Sequence, residues 1–238
     1  MAGAGIKEIK TRINSVNSTK QVTKAMELVA SSKMRKAKDR ALAARPYFGT
    51  MYNTVKDIAT NTRGVRNVFL KQREVKNRCY IVVAGDRGLA GGYNSNITKL
   101  TLSHMDGKKE KVMTVGKKST EFFSKRGYDI LKSTESVEKC DYNEAIAFAQ
   151  EAMDLYKKGE IDEVYMVYTE FVSPLTQNPK LLKVLPLAFE EENKETKEQA
   201  AKKARVQYLP SAEVVLGHII PKYVSGIVYD GIIESFAS

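Results

Sequence analysis

Residues 82–94 read VVAGDRGLAGGYN and follow the apolar run Cys79-Tyr80-Ile81. Gly85, Gly88, Gly91 and Gly92 thus lie between a strand-like run and a helix-like one, which is where phosphate-holding proteins place their glycines. The spacing fits neither common phosphate loop. A dinucleotide loop needs G-x-G-x-x-G, and Asp86 and Arg87 occupy the place where its second glycine lets the backbone approach a pyrophosphate. A P-loop needs Lys and Ser/Thr directly after the last glycine, where this chain has Tyr93 and Asn94. A second stretch, VGKKST at 115–120, resembles the end of a P-loop, but Lys111 stands where its first glycine belongs. The glycines are therefore expected to serve tight turns and close backbone packing, with Gly88→Ala expected to damage folding or assembly. No Ser–His–Asp set, no reactive cysteine context and no paired carboxylates suggest catalysis. Cys79 and Cys140 are expected to be buried or half-buried thiols. His104 and His218 have no ligand at metal spacing. The expectation is a non-enzyme with no cofactor and no metal.

The rest of the chain concerns the elements around that loop. At 238 residues it has room for one large domain or two small ones. No apolar run approaches the roughly 18 residues needed to span a bilayer, and the N-terminus has no continuous apolar signal core. A cytosol-like compartment is expected. The formal charge is +11, and residues 1–50 hold eleven Lys or Arg against three acids, or +8. That concentration calls for an acidic partner: nucleic acid, anionic lipid or an acidic protein surface.

Ile6 to Arg45 contains no Gly or Pro, enough for a helix of roughly 60 Å. Ile6, Ile9, Ile13 and Val16 keep heptad spacing. The seam then thins to Ala30, Ala37, Ala41 and Ala44 among Lys33, Arg35, Lys36, Lys38 and Arg40. Such a stripe suits a slim partner helix at close approach, with the cations outward. Pro46 is expected to break the helix, which resumes over 47–61. From 77 to 189 strands are expected at Cys79–Ala84, Lys111–Val115, Tyr128–Leu131, Glu163–Phe171 and Leu181–Phe189. Helices are expected near 94–105, 117–126 and 143–158, the last ending at Gly159. This alternation predicts a mostly parallel α/β sheet, its last two strands a long antiparallel hairpin around Pro174 and Pro179. Residues 190–205 read as a charged, solvated loop or short exposed helix. Ser211 caps a final helix with apolar columns Val215, Ile219, Tyr223, Ile227 and Leu216, Ile220, Val224, Val228, Ile232. Pro221 is expected to kink it, and the pattern is still running at Ser238.

Three stretches then carry a family resemblance. IKEIKTRINSVNSTKQVTKAMELVASSKMRKAKDRALAARPY, above all TKAMELVASSKMRKA, is similar to the N-terminal helix of the γ subunit of F-type ATP synthases. GDRGLAGGYNSNI resembles that family's loop after the first strand, and LPSAEVVLGHIIPKYVSGIVYDGIIESFAS the start of its C-terminal helix. The resemblance covers the whole chain. It implies an α/β fold in which the N- and C-terminal helices form a long antiparallel two-helix coiled coil over a Rossmann-like α/β domain. The division it implies is 1–60 coiled-coil helix and following segment, 61–208 globular foot, and 209–238 the start of the C-terminal helix. It also implies a non-catalytic rotor shaft that couples ion-driven rotation of a ring of c subunits to conformational cycling of the catalytic β subunits.

The implied partners are the ring of three α and three β subunits, the ε subunit and the c ring, at the cytoplasmic face of a bacterial membrane and in contact with it only through the complex. Lys33, Arg35, Lys36 and Met26 are carried over as β-subunit contacts, Arg87, Gly88 and Gly91 as a docking loop, and Tyr208 as a foot contact to ε or the c ring. Leu209 stands where relatives often have an acid. The family's C-terminal helix continues past the level of Ser238, and the long cysteine-bearing insertion of the chloroplast form is missing. With Arg45 level with Ser211, an antiparallel rod leaves roughly residues 1–17 unpaired. The alternative reading is a nucleic-acid-binding coiled coil, against which stands the lack of aromatics among the helix's cations.

Overall fold

The computed structural model describes residues 2–61, 67–107, 110–173, 175–189 and 208–238. Helix α1 (Ala2–Asn61) runs 60 residues without a break, so Pro46 does not end it. A proline inside a helix loses one backbone hydrogen bond and crowds the carbonyl one turn back, at about 3 kcal/mol. Packing outweighs that cost. Val55 and Ile58 are fully buried, and the Tyr52 ring meets Tyr223 at 6.1 Å. The Thr50 hydroxyl donates to the Pro46 carbonyl at 2.9 Å. The Ser225 hydroxyl does the same for Pro221 inside the C-terminal helix, also at 2.9 Å.

The sheet has five strands: β1 (Arg78–Val83), β2 (Lys111–Val115), β3 (Ile130–Thr134), β4 (Glu163–Ser173) and β5 (Thr176–Leu185). Their order is β3-β2-β1-β4-β5; the first four are mutually parallel and β5 is antiparallel to β4. β3 starts later than Tyr128 because Gly127, at φ +73°, still closes the preceding helix, with the Tyr128 N–H donating to the Phe123 carbonyl. β5 starts at Thr176, five residues before the expected Leu181, and includes Pro179. As an edge strand it tolerates a residue with no N–H. Its stretch beyond Leu185 leaves the sheet, and the Leu187 N–H pairs with the Phe69 carbonyl instead.

Strand alternation divides the core. Cys79, Ile81 and Val83 point to the face covered by α4 (Tyr142–Lys158) and by the C-terminal helix α5 (Ala212–Ala237). Tyr80, Val82 and Ala84 point to the face covered by α2 (Tyr93–His104) and α3 (Lys117–Ser124). Buried on both faces, β1 carries the continuous apolar run of an inner parallel strand. Caps define α4: Asp141 accepts from the Glu144 N–H, and Gly159 adopts the left-handed φ of +77°. Ser211 caps α5, and its column Leu216, Ile220, Val224, Val228, Ile232 is buried throughout. The charged stretch 190–205 lies outside the described residues.

α1 and α5 pack antiparallel, in a register different from the expected one. Tyr52 lies by Tyr223, Phe48 by Gly226, and Ala37 shares a buried cluster with Ala237 and Phe171. Arg45 bonds Glu234 at 2.8 Å and is nowhere near Ser211. Because α1 continues through Pro46 to Asn61, its root lies 16 residues further along than a helix ending at Arg45. The unpaired part grows to match: every residue from Gly5 to Lys33 is exposed, not only those up to position 17.

Candidate functional site

The exposed length of α1 and the sheet end beneath it form one surface. Along the helix Ile6, Ile9, Ile13, Val16, Val22, Met26, Leu28 and Val29 are 53–63% exposed. A seam of that kind left in water is the mark of an interaction surface. Arg35 and Lys36 are exposed beside it. Lys33 donates to Glu138 at 2.7 Å, both side chains about half exposed. The bond ties α1 to the turn between β3 and α4, and holds the Glu138 carboxyl below its ordinary range. Nothing in the sequence marked Glu138, a single acid 105 positions away.

The glycine loop lies at the same end, and the Gly85 N–H and the Asp86 and Asn94 side chains are bonded within the chain. The Gly85 N–H donates to Asn94 Oδ1 at 2.8 Å, and Asn94 Nδ2 donates to the Arg87 carbonyl at 3.1 Å. Asp86 accepts from the Val137 N–H at 2.8 Å and from the Ser136 hydroxyl at 3.0 Å. A phosphate at Gly85 or Asp86 would have to displace these bonds. Gly91 has φ +53°, but the other positive φ of the loop falls to Leu89, at +62° and fully exposed. Gly88 has no positive φ, and a Cβ added there meets nothing within 4 Å. The folding half of the expectation for Gly88→Ala is therefore corrected: nothing among the described residues requires glycine at 88, which leaves assembly as the place where a side chain there would tell.

The second loop is closed in the same way. The Ser119 hydroxyl is buried and donates to the carbonyls of Val115 and Gly116; Thr120 pairs with Thr114, and Lys118 with Glu121. Side chains that meet phosphate and metal in a P-loop here hold their own helix start. Gly116 is the tight glycine of this end: its φ is +94° and an added Cβ would lie 1.9 Å from the Ala84 carbonyl oxygen.

Two further ties fix α5 here, one to the start of α2 and one to β4, and sequence reading missed both. The buried Tyr93 hydroxyl bonds Ser235 Oγ at 2.6 Å and donates to the Ser235 carbonyl at 2.7 Å. Burial pushes that phenol up to about 12. The Thr169 N–H donates to Ser235 Oγ at 3.4 Å. Tyr208 lies at the opposite end, before Ser211, half-buried against the core. Both cysteines are buried, and burial raises each thiol to about 12, far from thiolate chemistry near neutral pH. No described helix is long and apolar enough to cross a membrane.

A family model described as ATP synthase matches residues 5–238. An ATP synthase gamma chain from Alkaliphilus metalliredigens is 42% identical over 238 residues, covering 99% of this chain and 82% of that one. A sodium-ion-specific gamma chain from Acetobacterium woodii is 42% identical over 248 residues, covering 98% and 82%. The gamma chain of Pasteurella multocida is 40% identical over 241 residues, covering 99% and 83%. In fold, a chain from the central stalk and c ring of the Tetrahymena thermophila mitochondrial ATP synthase superposes with TM-score 0.64 at 20% identity, covering 91% of this chain and 93% of that one. The nucleic-acid reading finds no support in these likenesses. A mixed sheet carrying a long antiparallel helix pair and close likeness over residues 5–238 to gamma chains agree: the chain belongs to the ATP synthase gamma-chain family, the non-catalytic central-stalk subunits of F-type ATP synthases.

Proposed function

We propose that this chain turns inside a ring of three α and three β subunits, with its foot on the ε subunit and the c ring, and that it couples ion-driven rotation to the nucleotide cycle of the β subunits. It makes and breaks no bonds, and needs no cofactor and no nucleic acid. It acts by offering each β subunit a different surface in turn, and only such differential contact can shift a partner's conformational equilibrium. The complex lies at the cytoplasmic face of a bacterial membrane, and the chain meets the membrane only through it. On this reading 1–60 is shaft, 61–208 foot and 209–238 the returning shaft helix.

Lys33, Arg35 and Lys36 form the band that meets acidic segments of β, with Met26 a seam contact above it. Arg87, Gly88 and Gly91 belong to a docking loop at the shaft's base, and Tyr208 to the foot contact. One observation supports this most: α1 from Gly5 to Lys33 is exposed all round, yet keeps large apolar residues beside its cations.

The test is the triple substitution of Lys33, Arg35 and Lys36 by Ala in the assembled complex, with Glu138→Ala as companion. Exposed ion pairs contribute about 0–1 kcal/mol, so both variants should fold and assemble. The triple variant should hydrolyse ATP with reduced ion pumping, and Glu138→Ala should pump normally. Unchanged pumping by an assembled triple variant would show that the cations are only a solvated face.

A further inference from the structure

Where α1 and α5 meet the β4–β5 edge, five charged groups are gathered. Arg45 of α1 bonds Glu234 of α5 at 2.8 Å, and Lys180 of β5 bonds Glu170 of β4 at 2.6 Å. Asp230, one turn before Glu234 on α5, is the fifth. Both cations are committed to other acids. Asp230 Oδ1 is buried with no hydrogen-bond partner. Its electrostatic neighbours are Glu234 on its own helix, Arg45 on α1 and Lys180 on β5. From β4, the Tyr168 phenol and Glu170 belong to the same group. Three carboxylates against two cations leave one negative charge in excess; Asp230 is the carboxylate without an ion pair, and burial together with Glu234 disfavours its charged form. Glu234 itself is only 5% exposed, so water screens the repulsion poorly.

We propose that this cluster is a proton-operated joint: one proton, taken up on Asp230, sets how firmly α5 is seated against α1 and the β4–β5 edge. Protonated, Asp230 removes the excess charge and the helix beds down. Ionised, it repels Glu234 and leaves a buried carboxylate oxygen unmet, and the seat loosens. The inference rests on this chain's own contacts and stands whether or not Lys33, Arg35 and Lys36 face β.

Burial, and then Glu234, raise the Asp230 carboxyl to about 6. A carboxyl raised on folding makes its ionised form a burden on the folded state. That burden is absent below the ordinary aspartate range, grows as pH rises towards about 6 and is constant above it. Asp230→Asn keeps the shape and removes the charge.

The experiment is thermal melting of the full chain, wild type against Asp230→Asn, in steps from acid to alkaline pH. Expected is a melting-temperature advantage for the variant that is small near pH 4, reaches about 3 °C or more near pH 7 and stays flat beyond. Glu234→Gln in the wild-type background should move Asp230's own titration, followed by its carboxyl carbon in NMR, to lower pH. At neutral pH, hydrogen exchange should be faster in wild type than in Asp230→Asn at residues 230–237 of α5 and at 169–171 of β4. An advantage that does not vary with pH, a wild-type Asp230 that titrates in the ordinary aspartate range, or unchanged exchange at those amides would each overturn the proposal. The NMR titration uses wild type, so the test holds even if a variant folds poorly.

Discussion

A single hydrogen atom at position 116 decides whether β1 can pass the start of α3. Gly116 has φ +94°, and a Cβ there would stand 1.9 Å from the Ala84 carbonyl oxygen and 2.8 Å from Val137 Cγ2. Gly116→Ala should therefore cost about 3 kcal/mol or more, since neither the backbone nor the strand can yield. Gly88→Ala, at an open position with ordinary φ, should change stability by no more than about 1 kcal/mol. Urea unfolding of both variants checks the contrast; equal losses would mean that the loop at 88 is packed in a way this geometry does not contain. The pair also shows what was hidden in the sequence. A crowd of glycines at 85–92 drew attention by number, but a glycine is required by what lies against it. At 116 that neighbour is a carbonyl 32 residues away in the chain, which no local pattern reveals. Likewise Lys33 was legible as one cation among many, whereas its bond to Glu138 was not.

Among the elements, the joint of α1 and α5 works by close approach. A Cβ built on Gly226 would meet the Phe48 ring at 2.5 Å. Gly226→Ala should weaken the helix pair by about 1–3 kcal/mol, the usual range for overpacking. Phe48→Ala should then rescue part of that loss, so the two substitutions together should cost less than their sum. A double-mutant cycle by chemical unfolding measures this, and strict additivity would deny that the ring and the glycine touch. Most elements were readable because their signals are local: Ser211 as a cap, Gly159 as a stop, short apolar runs at β1 and β4. The failures came where tertiary packing overrides a local rule. Pro46 reads as a helix end, but Val55 and Ile58 bury the chain beyond it and keep it helical. Pro179 seemed to lie outside a strand, but the edge position of β5 leaves its missing N–H without consequence. The register error in the helix pair followed directly from the misplaced end at Pro46.

For the whole molecule, exposure divides α1 in two. In the isolated chain, amides between Ile6 and Ser32 should exchange rapidly, and those between Ala37 and Ile58 should be strongly protected, because only the latter lie under α5 and the sheet. Slow exchange over 6–32 in a demonstrated monomer would contradict an unpartnered helix. A mechanical property follows from the two internal prolines. Pro46 in α1 and Pro221 in α5 each take one rung from the backbone ladder, and at each the carbonyl takes an added hydroxyl from four residues on, Thr50 and Ser225. Such back-bonding bends helices. With Phe48 opposite Gly226 and Tyr52 opposite Tyr223, the two gaps fall within about two turns, some 10 Å along the paired rods. Each helix lacks one backbone hydrogen bond at that level. If the pair bends or twists, the strain gathers there first, a flexure set by two missing rungs.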